Sequence, residues 1–162
     1  MKTAITIASC IVLFLMLPGL AEDEKDAAKK VKRTAAENKA VAEVRKLGGS
    51  VLEVAQNDAR LDVAYHLAGD DIGDAHLVPV KQLKSIYSLN LRGTNVTDKG
   101  LEQIKDLQGL VRLHLEKTKI TDKGLPQLKN LKNLEYLNLY GTQVTDAGLR
   151  SLAGLKKLKK VY

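Results

Sequence analysis

The chain contains one cysteine, Cys10, and it lies in an N-terminal segment that reads as removable. With that segment gone, the remainder has no disulfide, no cysteine nucleophile and no cysteine metal site. Tryptophan is absent and aromatics make up 4% of the residues. That argues against an aromatic ligand cage and against the stacked aromatics on which single-stranded nucleic acids lie. Gly-rich phosphate loops are missing too, because the repeat glycines fall where a turn or helix start needs a small residue. "DDIGD" at 70–74 lacks EF-hand spacing and reads as a polar turn. His76, close to it, reads as an ordinary surface histidine.

The apolar run from about Ala4 to Leu17 is on the short side of the roughly 20 residues a membrane helix needs. Lys2 precedes it, Pro18 breaks it, and Gly19-Leu20-Ala21 follows as a small-x-small cleavage pattern. Residues 1–21 are therefore expected to be a signal peptide, with the mature chain secreted or periplasmic and beginning at Glu22. Two alternatives stay open. Ile7-Ala8-Ser9-Cys10 resembles a lipidation box, although the apolar core comes after it, and an uncleaved segment would act as a membrane anchor.

Charge is unevenly spread across the formal total of +7. Residues 22–80 hold 9 basic and 12 acidic side chains, whereas residues 81–162 hold 16 basic and 7 acidic. A basic half suits an acidic partner, nucleic acid or an anionic surface, the last with binding that collapses in salt. Most of these lysines occupy variable repeat positions without interleaved aromatics. That favours solvated faces over specific nucleic-acid binding.

The strongest signal is internal repetition. "LNLRGTNVTDKGL" (89–101), "LHLEKTKITDKGL" (113–125) and "LNLYGTQVTDAGL" (137–149) recur 24 residues apart, the mark of stacked units. Within each, an "LxL" pair alternates like a strand, and the later leucines recur at three-residue intervals as on a short helix. The Thr-Asp pairs ending in Asp98, Asp122 and Asp146 suit helix starts. Pro79 and Pro126 fall in the first helical turn. Applied backwards, the grid gives a degenerate first unit at 62–85, with Tyr65, Leu67, Ile72, Leu77, Val80 and Leu83 in the core. Ahead of it, residues 22–38 read as a charged helix or tether. Residues 39–61 read as an N-terminal cap made of a helix at 39–47 and a strand at 50–55.

These residues resemble the leucine-rich repeat family in the form LxxLxLxxTxVTDxGLxxLxxLxx. Thr94, Thr118 and Thr142 stand where the general pattern has Asn or Cys, with Asp70 at that place in unit one. The variety looks like repeats of short exported bacterial proteins, and it is also similar to repeats in substrate receptors of ubiquitin ligases. The resemblance implies an α/β solenoid over 62–162, a short right-handed curved stack with parallel strands on the concave face and short helices on the convex face. It implies three outward columns: Ala64, Ser88, Arg112, Tyr136; then His66, Asn90, His114, Asn138; then Ala68, Arg92, Glu116, Tyr140.

Partner-binding candidates are therefore Ser88, Asn90, Arg92, Arg112, His114, Glu116, Tyr136, Asn138 and Tyr140. Two exposed tyrosines beside arginines have the composition of a binding hot spot. His66 and His114, two strands or about 10 Å apart, are too distant to share one zinc. Ser88, His114 and Glu116 make a poor nucleophilic set, because Ser88 and His114 stand in different columns. The expectation is a non-enzymatic module, without cofactor or metal, that recognises a protein or peptide through its concave face. One alternative is a self-assembling or envelope-associated structural module, motivated by the strand edge at "LKKLKKVY". A substrate-receptor role by analogy with ubiquitin ligases is the other.

Overall fold

The computed structural model describes residues 33–162 except Asn57 and Asp70. The expected signal (1–21), most of the charged segment (22–38) and the unit-one position Asp70 thus lie outside the described residues. Chain order is α1 (Ala35–Lys46), β1 (Ser50–Ala55), β2 (Asp58–Ala64), β3 (Ile86–Asn90), α2 (Asp98–Ile104), β4 (Arg112–His114), β5 (Tyr136–Asn138), α3 (Asp146–Leu149) and β6 (Lys160–Val161). Short 3-10 turns at Asp74–Leu77, Pro79–Gln82, Leu125–Asn130 and Arg150–Leu152 complete the helical side.

α1 starts at a capping box. The Thr34 hydroxyl accepts from the Glu37 N–H, and the Glu37 carboxylate accepts from the Thr34 N–H, both at 3.2 Å. Glu37 is nevertheless buried, because its other oxygen accepts from Lys84 N–H (3.0 Å), Ser85 N–H (3.3 Å) and the Ser85 hydroxyl (3.2 Å). Burial opposes its ionisation. The hydrogen bonds from Thr34, Ser85 and Lys84 outweigh that and hold the carboxyl below its ordinary value. One carboxylate thus ties the first helix to the loop that feeds β3.

The six strands form one sheet in chain order. β1 and β2 are an antiparallel hairpin, and every later pair is parallel, joined by the right-handed crossovers expected of such units. This is a leucine-rich-repeat solenoid. Its edge at β1 is blunted: the Arg45 guanidinium donates to the Val51 carbonyl at 2.9 Å, and Arg33 pairs with Glu53 at 2.6 Å. β6 carries no such cover among the described residues, and its Val161 and the adjoining Tyr162 are exposed.

Units two and three bury every expected apolar position, from Leu89 to Leu107 and from Leu113 to Leu131. Unit four buries Leu137, Leu139, Leu152 and Leu155, but Leu149 is 37% exposed because no described unit packs over it.

Unit one departs from the grid. Asp62 pairs with Ser88, Val63 with Leu89, and Ala64 with Asn90, so Ala64 stands two residues from its expected register. Val63 and Tyr65 therefore fill the core slots of Leu89 and Leu91, and Leu67, expected inside, is 85% exposed. Two extra residues between Tyr65 and Ile72 account for the shift, since Asp74 is back on the 24-residue spacing to Asp98. The larger Tyr65 fits because its hydroxyl donates to the His76 carbonyl at 2.8 Å.

The Thr-Asp pairs do more than start helices. Thr97 and Thr145 do cap α2 and α3. The aspartates, however, reach into the next unit: Asp74 accepts from Thr97, Asp98 from Thr121 and Asp122 from Thr145. Each accepts from both backbone N–H and hydroxyl at 2.7–2.8 Å. Gly100, Gly124 and Gly148 leave room for those carboxylates, which any Cβ at these positions would overlap. The recurrent T-D-x-G is therefore an inter-unit joint. Thr94, Thr118 and Thr142 serve within units, each donating its hydroxyl to the carbonyl three residues earlier at 2.7 Å.

Candidate functional site

Because leucines alternate inward along the strands, the residues between them face the concave side. The observed register revises the columns. The first reads Leu52, Asp62, Ser88, Arg112, Tyr136, Lys160, and the second reads Ser50, Ala64, Asn90, His114, Asn138. Ala64 leaves the Ser88 column for that of Asn90. His66 leaves the His114 column and lines a small hollow with Arg92. The sheet is also wider than the four strands expected, since β1 and β6 extend it on both sides.

A concave cleft of about 560 Å³ occupies the β1–β4 half. Ser88 and Asn90 line it centrally, Leu52, Val54 and Leu67 toward β1, and Arg112 toward β4. Ser88 stands in the concave-facing column as expected but is only 6% exposed, at the floor of the cleft. Leu52 and Val54 belong to the segment that the sequence assigns to the cap, yet they face the cleft. Their signal was the alternation in "SVLEV", which puts Val51 inside and its neighbours outside.

On β4 and β5 the side chains form one network. The His114 ring lies 4.8 Å from the Tyr136 ring, which lies 5.7 Å from that of Tyr162. The Arg112 guanidinium sits 4.9 Å from the Tyr136 ring centre, within cation–π range. Glu116 faces His114 Nδ1 at 3.1 Å and accepts from the Asn138 amide at 2.7 Å. Asn90 and Asn138 direct their carbonyl oxygens to the backbone N–H of Arg92 and Tyr140, closing the turns after the strands.

The structure thus brings Arg112, His114, Glu116, Tyr136 and Asn138 together. Arg92 and Tyr140 stand beyond the strand ends. Tyr136 is half-buried, against the expectation of two exposed tyrosines, while Tyr140 is 68% exposed.

Chemically this surface offers contact. His114 Nδ1 is turned to Glu116, and no hydrogen bond joins Ser88 to His114 among the described residues, so a nucleophile–base pair is not formed there. Among the described residues no three His, Cys, Asp or Glu lie close enough to hold a metal ion, and no helix is long and apolar enough to cross a membrane.

The family model described as "Leucine Rich repeat" matches residues 83–105 and 130–153. A comparison with curated proteins finds no match. Among solved structures, internalin C2 of Listeria monocytogenes is similar at 28% identity, covering 52% of this chain and 35% of its own, with a TM-score of 0.47. A second Listeria monocytogenes internalin is similar at 19% identity, covering 52% and 30%, with a TM-score of 0.40. The chain spans about a third of the length of these structures. With two of its units matched by the family model and a parallel strand ladder running through all of them, the chain is a leucine-rich-repeat protein.

Proposed function

We propose that this protein is an exported, non-enzymatic recognition module that holds a segment of another protein against its concave strand face. The observation that carries the reading is the cleft on that face, where polar side chains meet exposed Leu52 and Leu67. Solvent-exposed leucines around a concavity suit a buried contact better than a solvated surface. The composition of residues 1–21 supports export. The test is cross-linking in the native envelope, comparing tagged chain with a Tyr140→Ala/Arg112→Ala version of equal fold and abundance. A protein captured by the first and lost by the second supports the reading, and equal capture by both moves the contact to the helical side.

A second reading is self-assembly through β6, favoured by Leu149, Val161 and Tyr162, which are 37%, 42% and 62% exposed at one end. Lys159 and Lys160 oppose it, since edge lysines discourage strand pairing. Light scattering across a concentration series decides: a mass that stays monomeric removes this reading.

A further inference from the structure

Resting on the concave-face reading, we propose that the segment bound there is an acidic peptide carrying one apolar anchor. The side chain of that anchor enters the cleft beside Leu52 and Leu67, and a carboxylate downstream or upstream of it meets Arg112.

The charges already paired within the protein decide the sign. Glu53 is matched by Arg33 at 2.6 Å and Glu135 by Lys159 at 2.7 Å, while Glu116 meets His114 and the Asn138 amide through one oxygen and keeps the other buried without a partner among the described residues. On the basic side, Arg92 and Arg112 are exposed and no carboxylate pairs with either among the described residues. Among the described residues Arg112 lies over the Tyr136 ring and makes no ion pair, a placement that keeps its planar fork open for a bidentate carboxylate. Against these two stand Asp62, exposed in the same column, and the Glu116 carboxylate; exposed Lys160, at the far end of the Arg112 column and in no ion pair among the described residues, tips the balance. The unmatched charge facing a ligand is therefore basic.

The apolar share is just as localised. Leu52 is 65% exposed, Leu67 85% and Val54 38%, and all three line the same cleft. Leu52 and Arg112 belong to one column, separated by Asp62 and Ser88. Three strand steps make about 14 Å, a distance an extended peptide covers in about four residues. The ligand accordingly carries its apolar residue and its carboxylate roughly four positions apart, crossing the strands.

The probe is a phage-displayed library of random twelve-residue peptides selected on the full chain. Selected sequences are then synthesised and titrated by fluorescence anisotropy against Arg112→Ala, Arg92→Ala, Leu52→Ser and Lys129→Ala, each checked for fold by circular dichroism. The expected result is enrichment of Asp or Glu about four positions from a large apolar residue. Arg112→Ala and Leu52→Ser should each weaken binding about tenfold, with Lys129→Ala unchanged. Replacing the peptide carboxylate by an amide should cost wild type affinity and cost Arg112→Ala almost none.

Peptides that bind the concave face but carry no acidic residue overturn the acidic assignment and leave the concave-face reading standing. Peptides indifferent to every concave substitution overturn both. No enrichment overturns the linear-peptide assignment, and the envelope cross-linking then judges the face independently.

Discussion

The carboxylate of Asp98 holds Thr121, in the following unit, by two hydrogen bonds, one from its backbone N–H at 2.8 Å and one from its hydroxyl at 2.7 Å. The same pairing recurs one unit earlier and one unit later. A motif that reads as a helix start is in this way also a joint between units.

Removing that joint should loosen two units together. Asp98→Ala is expected to cost about 1–3 kcal/mol in urea unfolding, because two donors lose their acceptor. Gly124→Ala should also destabilise, since its methyl overlaps the Asp98 carboxylate. The double substitution is expected to cost less than the sum of the two, because with the carboxylate gone the methyl has space. Strict additivity would contradict the joint.

Glu37 should make the cap sensitive to acid. Its carboxyl is held below its ordinary value near 4.5 when folded, so the unfolded chain binds more protons there. Its contribution to stability is full above the ordinary value and is lost as pH falls through the lower, folded value. Wild type should therefore exceed Glu37→Gln in urea midpoint at pH 7, with the gap closing steadily below about pH 4.5. A gap that widens in acid would refute the assignment.

The unit-one register is testable by contrast. Leu67→Ser is expected to stay within about 0.5 kcal/mol of wild type, as exposed positions do. Tyr65→Phe should lose about 1 kcal/mol with its bond to the His76 carbonyl. Val63→Ala, a truncation in a fully buried slot, should cost more than either. Equilibrium unfolding of the three variants suffices, and a large loss at Leu67 would restore the unshifted grid.

Export predicts a chemical end. N-terminal sequencing of the protein recovered from its host is expected to begin at Glu22. A chain retaining Met1, or one starting at a lipid-modified Cys10, would replace cleavage after Ala21 with the corresponding alternative.

The solenoid was legible because units two to four must bury the same positions against one another, so Leu89, Leu113 and Leu137 share spacing and fate. Unit one departs from the grid for a physical reason. Leu61, Val63, Tyr65 and Leu67 alternate without a break, and periodicity two cannot say which pair enters the core. The inserted residues then disappear into a polar turn. The inter-unit role of Asp98 was hidden because a single unit, read alone, supplies a nearer acceptor role at its own helix. Among the site residues, those on β4 and β5 emerged from their column positions. Leu52 and Leu67 did not, since an exposed leucine looks like a buried one until packing is known.

The aspartate–threonine joint also sets how this molecule can change length over evolutionary time. Each unit presents an acceptor forward and a donor pair backward, so a duplicated block of 24 residues would find complementary partners on both sides. A gain or loss of one residue within a strand would turn it inside out, whereas the two extra residues of unit one lie in a turn and leave the Asp74–Thr97 joint intact. Variation in size should therefore come mainly in whole units, with the concave face lengthened or shortened one strand at a time.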